Sequence, residues 1–430
     1  MNKAKLCIFF FFLACSIVFI IKFISFPLSR EKVYSSEHNI RNYKDPRANI
    51  VGRNGIALVV GNGTERKYRF GRITSHFIGF YDPRLGMSGI EGDYSQRLID
   101  NNRASLYYFG GSGEDKAPLK VTIDIGLQKV CDEALGGLVG AIVVLDPTTG
   151  EILSLISHPN FDPNKKDWKE LQKRGDAPLL NRATKGFYNP GSLWKTIVAL
   201  NLLGKKEITY VSPVSYTVGD KKFKCNHPGT RINSLADAYA YSDNCYFLHR
   251  GLTEVSVNDF ARTSNQFMSR ELPATLKKID YAFSIIGQGP VLVSPLQESL
   301  LAGTIINDGR MQGPVSVKGE KSEQRDIISK SSALSLQQMM VGVVKKGTGR
   351  KLSNFLKQGV VGLKTGTAEK DLKKGKKINI TSMAGFAYFK GKKNPVSFAV
   401  VVEDSRLLAA NQCSPIVAKI LNYYFSHYKE

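Results

Sequence analysis

The sequence predicts an α+β protein. An apolar amino-terminal segment and a small β-rich region precede a larger domain of mixed helices and strands. Three observations point there. Apolar runs flanking turn residues lie near the start of the larger region, at 141–145 and 151–156, and again near its end, at 382–388 and 396–402. Helical patterns fill the interval, the plainest being the apolar stretch from Leu193 to Leu203. Strands at both extremities and helices between them require one sheet to be completed by segments distant in the chain.

Taken in order, the elements begin with Lys3 and Lys5 ahead of an apolar run from Leu6 to Ile21, followed by Lys22-Phe-Ile-Ser-Phe26. With Lys22 snorkelling, this is about the ~20 residues a helix needs to span a bilayer. No small-x-small cleavage site follows, so residues 1–26 read as a retained transmembrane signal anchor. Lysines on both sides leave its orientation open. Residues 27–115 read as a polar stalk and a pedestal domain, with short strands expected at Ile56–Val60, Tyr68–Phe70 and His76–Phe80. Gly110-Gly-Ser-Gly-Glu-Asp-Lys116 is the clearest linker, and the larger domain is placed at 116–430. There Asp124 is positioned to cap a helix over 125–135. Asp146-Pro-Thr-Thr-Gly150 and Lys390-Gly-Lys-Lys-Asn-Pro395 read as hairpin turns, and a terminal helix is expected over about 414–425.

Composition bounds the function. At 430 residues the chain exceeds one compact core, and two domains outside the membrane are expected. A net charge of +23 fits a lysine-rich solvated surface, or attraction to headgroups and anionic wall polymers. Nucleic acid is disfavoured, because the basic residues are scattered and no binding motif accompanies them. Four cysteines lie beyond the anchor (Cys131, Cys225, Cys245, Cys413), in neither a C-x-x-C metal pattern nor a disulfide framework. Buried thiols are the default reading; an oxidising compartment would allow a Cys225–Cys245 bridge. Six dispersed histidines form no H-E-x-x-H, and there is no G-x-S-x-G, so the reading calls for no metal and no cofactor.

Chemistry concentrates in three motifs: Ser192-Leu-Trp-Lys195, Ser242-Asp-Asn244 and Lys364-Thr365-Gly366-Thr367. Individually they are cheap. S-x-x-K recurs at Ser29/Lys32 and Ser426/Lys429, and S-x-N at Ser256/Asn258. Their order and domain-sized spacing make them informative. Ser192 falls in the first turn of a helix, where free N–H groups and the dipole favour a developing oxyanion. Lys195 lies on the same face. An apolar helix would desolvate this lysine, lowering its pKa until it can take the Ser192 proton. Ser242, on a turn after a helix, can pass a proton from Lys195 to a leaving amine, and the Asn244 amide can hold a substrate peptide group. Lys364, Thr365, Gly366 and Thr367 read as a substrate-binding strand. Lys364 attracts a carboxylate, Gly366 lets a substrate backbone lie alongside, and the Thr367 N–H joins that of Ser192 in an oxyanion hole.

With these motifs the chain resembles the class B penicillin-binding proteins, the monofunctional cell-wall transpeptidases. Gly52-Arg-Asn-Gly55, Gly86-Met-Ser-Gly-Ile-Glu91 and Tyr94 are similar to the family's short pedestal. Asp146-Pro-Thr-Thr-Gly150-Glu, Asn181-Arg-Ala183, Tyr188-Asn-Pro-Gly-Ser192, Ile286-Gly-Gln-Gly289, Ser294-Pro-Leu-Gln297 and Gly347-Thr-Gly349 are similar to its transpeptidase landmarks. Met383-Ala-Gly-Phe386 departs from the pattern, since many relatives carry an aromatic pair before that glycine. The resemblance implies the serine penicillin-recognising transpeptidase fold, an antiparallel sheet with helices on both faces, and a peptidoglycan D,D-transpeptidase. Ser192 would attack the penultimate D-alanine of a stem peptide and release the terminal D-alanine, and β-lactams would acylate the same serine. It further implies a single-pass membrane protein with an extracytoplasmic catalytic domain, and a membrane glycosyltransferase and other wall-synthesis proteins as partners. The alternatives are a β-lactamase or β-lactam sensor, which share the motifs, and a non-catalytic scaffold.

Overall fold

In the computed structural model, residues 47–99, 117–371, 377–391 and 393–429 are described. The expected anchor, the stalk to residue 46 and the Gly110–Lys116 linker lie outside them. Among the described residues no helix is long and apolar enough to cross a membrane.

The amino-terminal region forms a four-stranded sheet from β1 (Ile50–Val51), β2 (Ala57–Val60), β3 (Lys67–Tyr68) and β4 (Leu119–Lys120), in the order β3-β2-β1-β4. Strand β4 follows the linker yet pairs in parallel with β1. One apolar cluster runs through this sheet into the larger domain, from Ile50 and Val59 to Val121, Val143 and Leu155. Buried Glu91 holds the region together by accepting from Arg47 Nε at 3.1 Å and Arg66 Nε at 2.6 Å. The strand expected at His76–Phe80 is instead the end of a helix, Gly71–Ile78. Thr74, Ser75, Phe77 and Ile78 are buried there, and the Gly79 N–H closes the last helical turn on Ser75 O at 2.8 Å. A short apolar run does not distinguish the two periods, and tertiary burial decided for the helix.

The larger domain follows the sequence expectation closely. Asp124 Oδ1 accepts from the N–H groups of Gly126 and Leu127, capping α1 (Ile125–Leu135). Strands β5 (Gly140–Leu145) and β6 (Ile152–His158) form the first hairpin. A turn at Gly191–Trp194 runs into α2 (Lys195–Leu202), followed by α3 (Leu235–Tyr241), α4 (Asn244–Glu254), α5 (Pro295–Ile306) and α6 (Lys330–Lys346). The chain then returns as β7 (Val360–Asp371), β8 (Lys377–Phe389) and β9 (Lys393–Ser405), and closes on α7 (Ala409–His427), longer than expected at both ends. The five strands make one antiparallel sheet, β7-β8-β9-β5-β6, with Ala399 on β9 opposite Val143 on β5.

The pleat gives the sheet two working faces. On β8, Ser382 and Ala384 face α5, while Thr381 faces α7, where it meets Cys413. Helices α1 and α7 therefore cover one face and α5 and α6 the other, with α2 packed against α6. The edge strand β7 lies against the turn that opens α2.

Candidate active site

Local geometry at the start of α2 explains the placement of Ser192. Gly191 has φ +55°, and its N–H donates to Gly287 O at 2.9 Å. A Cβ on Gly191 would sit 2.5 Å from the Thr367 carbonyl oxygen, so only glycine lets this turn touch β7. Ser192 is thereby held half-exposed with its backbone beside that of Thr367. Residues three apart in such a turn share a face, which puts Ser192 and Lys195 on the same side of it. Among the described residues the Ser192 hydroxyl makes no side-chain hydrogen bond.

Lys195 has 0% of its surface exposed. Its Nζ donates to Ser242 O at 2.7 Å and Asn244 Oδ1 at 2.6 Å, lies 3.3 Å from Ser242 Oγ, and sits over the Phe247 ring. Burial lowers its pKa from the usual lysine value to about 7, against the opposing pull of Asp243. A neutral amine has two hydrogens. The two short contacts take both, which leaves its lone pair free to accept a proton.

Ser242 caps α3 in the left-handed region, φ 59° and ψ 39°. That conformation costs a non-glycine residue roughly 1–2 kcal/mol. It is held because the Ser242 carbonyl accepts from Lys195 and, at 2.6 Å, from Asn226 Nδ2. The hydroxyl accepts from Lys364 Nζ at 2.8 Å. Lys364 is 1% exposed, bonds Thr365 O at 3.3 Å and sits over the Tyr239 ring. Burial first, and then the neighbouring Lys195, push its pKa well down. Ser242 thus sits between two desolvated amines, which is the arrangement a proton relay needs.

The remaining expected residues are partly reassigned by their contacts. Asn244 reaches the site, but its Nδ2 already donates to Lys224 O at 3.1 Å and Asn226 Oδ1 at 3.0 Å. Thr365 Oγ1 is 2.7 Å from Thr348 Oγ1, and Thr367 Oγ1 accepts from the Ala409 N–H at 3.2 Å. Gly366 was expected to clear space for substrate. Instead, a Cβ there would meet Pro190 O at 2.1 Å and Ser382 Oγ at 2.5 Å, so the glycine admits the turn that carries Ser192. Two of the duplicate motifs fall away, and Ser29/Lys32 lies outside the described residues. Ser256 only caps the next helix by accepting from Asp259 N at 3.0 Å, and Ser426 and Lys429 are exposed at the chain's far end.

Residues 140–422 match the penicillin binding protein transpeptidase domain. The chain belongs to that family. Among curated relatives of this penicillin-binding protein is the peptidoglycan D,D-transpeptidase MrdA of Acinetobacter baumannii. It is 26% identical over 463 residues, covering 87% of this chain and 68% of that protein. The peptidoglycan D,D-transpeptidase PbpA of Mycolicibacterium smegmatis is 26% identical over 427 residues, covering 84% of each. Penicillin-binding protein A from M. tuberculosis, solved as a ceftriaxone acyl-enzyme complex, shares the fold. The TM-score is 0.77 at 22% identity, over 88% of this chain and 98% of that one.

Within this penicillin-binding protein, several residues escaped the sequence reading. Asp243 is fully buried, caps α4 by accepting from Tyr246 N at 2.8 Å, and accepts from Ser212 Oγ at 2.7 Å. Asn226 ties Ser242 to Asn244 from a loop that carries no motif. Thr348, inside Gly347-Thr-Gly349, was visible as a landmark but not as a partner of Thr365. Cys225 and Cys245 are disulfide-bonded, with Cα atoms 5.3 Å apart, while Cys131 and Cys413 are buried free thiols. The default reading of four thiols is corrected for the first pair. The bridge adjoins Asn226 on one side and Asn244 on the other, and so clamps the loop onto the motif. Replacing both cysteines by serine is expected to cost about 2–4 kcal/mol of stability. Penicillin acylation should also slow, because Asn226 is then less firmly held. Unchanged acylation alongside a lowered melting temperature would show that the bridge serves the fold alone.

Proposed function

We propose that this protein is a peptidoglycan D,D-transpeptidase working through an acyl-enzyme on Ser192. The observation that carries the reading is the convergence of all three motifs on Ser242, with buried Lys195 on one side and buried Lys364 on the other.

Neutral Lys195 accepts the Ser192 proton as Oγ attacks the penultimate D-alanine carbonyl. The oxyanion forms beside the Ser192 and Thr367 N–H groups. As the C–N bond breaks, the proton passes from Lys195 through the Ser242 hydroxyl to the departing D-alanine amine. An acceptor amine from a second stem then attacks the ester, gives its proton to Lys195, and Ser192 leaves with a proton restored. The Asn244 amide exchanges its contact with Lys224 or Asn226 for a substrate peptide group. A substrate carboxylate arriving beside Thr365 and Thr367 favours the ammonium form of Lys364, since an opposite charge raises a lysine pKa.

The test is labelling with a fluorescent penicillin followed by peptide mapping, which should place one stable adduct on Ser192. Rapid hydrolysis of the adduct would point to a β-lactamase, and absence of acylation to a scaffold. Lys364→Ala should weaken acylation by carboxylate-bearing β-lactams more than by an analogue esterified at that group. Equal losses would mean that Lys364 serves only to hold Ser242.

In the same reading, Leu6–Phe26 anchors the chain in the cytoplasmic membrane, residues 27–115 form stalk and pedestal, and residues 116–430 form the extracytoplasmic catalytic domain. Tethering supplies effective concentration near lipid-linked substrate, a membrane glycosyltransferase and wall-synthesis partners.

A further inference from the structure

Two landmarks of the sequence, Arg182 in Asn181-Arg-Ala183 and Tyr188 ahead of the Ser192 turn, take no part in the mechanism above. They meet on one carboxylate oxygen. Glu403 Oε1, close to the end of β9, accepts from the Tyr188 hydroxyl at 2.6 Å and from Arg182 Nε at 2.8 Å. Arg182 is itself held on every side. Its Nη1 and Nη2 donate to Ala177 O at 3.0 Å and Asp176 O at 2.8 Å, and its backbone N–H donates to Ser157 Oγ at 2.8 Å. The carboxylate is therefore a fixed post on the sheet. Burial, and then the Glu403 charge, push the Tyr188 pKa up from its usual value, so the phenol remains a donor.

The segment that leads to Ser192 is tied to two different bodies. Its backbone is joined to the loop ahead of α5. The Tyr188 N–H and carbonyl pair with those of Val293, each at 2.9 Å, and the Gly191 N–H donates to Gly287 O. The Asn189 amide adds bonds to Gly289 O at 3.0 Å and Val291 O at 2.6 Å. The ties to the sheet run through side chains. The Tyr188 ring packs with Ile380 of β8 and Val401 of β9, its hydroxyl reaches Glu403, and Ser382 Oγ donates to Pro190 O at 3.3 Å. The Tyr188 bond is the shorter of these two and ends on a carboxylate, which makes it the stronger. The sheet carries the Thr367 N–H, and the segment carries that of Ser192. The spacing of the two oxyanion donors therefore depends on how the segment is registered against the sheet.

We propose that Tyr188 is a positioning residue: its hydroxyl bond to Glu403, with Arg182 holding that carboxylate in place, sets the register of the Ser192 segment against the sheet. A slip there leaves a ligand's contacts with β7 intact but misaligns the Ser192 and Thr367 N–H groups. Such a misplacement acts on the bond-making step, where the oxyanion develops, and not on the encounter complex.

The inference rests on the transpeptidase reading, and the experiment separates the two. Wild type, Tyr188→Phe, Glu403→Gln, Glu403→Ala and Ile420→Val are prepared as the full chain. Each is measured for its penicillin binding constant, its acylation constant and its melting temperature. Tyr188→Phe keeps the ring and removes the donor. It should lower the acylation constant roughly three- to tenfold, the order of one lost hydrogen bond, with the binding constant unchanged. Glu403→Gln keeps an oxygen for both donors but loses the ion pair with Arg182. It should acylate within about twofold of wild type while melting below Tyr188→Phe. Acylation and stability then rank these two variants in opposite order, which a merely structural role would not do. Glu403→Ala removes the acceptor and opens Arg182 to water. It should lose acylation as Tyr188→Phe does, and it decides the matter if the phenylalanine variant does not fold. Ile420→Val trims a buried side chain of α7, on the face of the sheet away from α5, and should acylate as wild type does despite a lower melting temperature. Wild-type acylation by Tyr188→Phe, or an equal loss in Ile420→Val, would overturn the proposal. So would a loss in Tyr188→Phe that lies in the binding constant. Failure of the wild-type protein to acylate at Ser192 would instead overturn the transpeptidase reading.

Discussion

Ser192→Ala is expected to abolish covalent labelling by penicillin while leaving the fold unchanged. The side chain is half-exposed and makes no side-chain hydrogen bond among the described residues, so its loss removes a nucleophile and almost no stability. Non-covalent binding should survive, since the strand residues that meet the ligand are untouched. The measurement is mass spectrometry of the treated protein with a parallel melting curve. An adduct persisting on the variant, at Ser29 or Ser426 for example, would reassign the nucleophile.

Lys195→Arg should slow acylation by ~10²–10⁴, the usual worth of a general base. Arginine keeps the positive charge but does not deprotonate at any working pH, so raising the pH should not rescue the variant. In the wild type the sign is set by the lowered pKa. The competent form is the neutral amine, so acylation should rise about tenfold per pH unit below 7 and level off above it. Lys195 and Lys364 share Ser242, so the midpoint belongs to the pair. A melting curve distinguishes loss of the base from loss of the fold, since an arginine at this site is itself costly. Near wild-type acylation by the arginine variant would leave Lys195 with an electrostatic or structural role.

What the sequence revealed follows from the range over which each signal acts. The Asp124 cap, the β5–β6 hairpin and the β8–β9 hairpin are local, and were legible because turn chemistry and strand alternation sit side by side in the chain. The three motifs were legible because their residue types are rare in that order. His76–Phe80 was misread because five residues do not separate a helix face from a strand. Gly366 was assigned to the substrate because nothing in Lys-Thr-Gly-Thr says which neighbour needs the room, and the Pro190 carbonyl comes from far upstream. Asn226 lies in an unremarkable loop, and its contact with the Ser242 carbonyl exists only once α3 ends in a left-handed residue. Glu403 reads in sequence as an ordinary acid at the end of an apolar strand, and only the structure brings Arg182 and Tyr188 onto it. The cysteine pairing was left open because separation along the chain says nothing about whether two Cα atoms stand 5.3 Å apart.

The strand order carries a consequence for biosynthesis. The middle strand of the sheet is β9, the last strand to leave the ribosome, and it pairs Ser397 with Leu145 from the first hairpin. Until it arrives, the β5–β6 hairpin has no neighbour on its inner edge, and the face that receives α5 does not exist. Such long-range closure is slow relative to local pairing. A chain released just after Asp371 would contain every motif residue and have no catalytic apparatus. Competence therefore arrives in a single late event, and a ribosome-bound or prematurely terminated chain should be silent toward penicillin however much of the signature it displays.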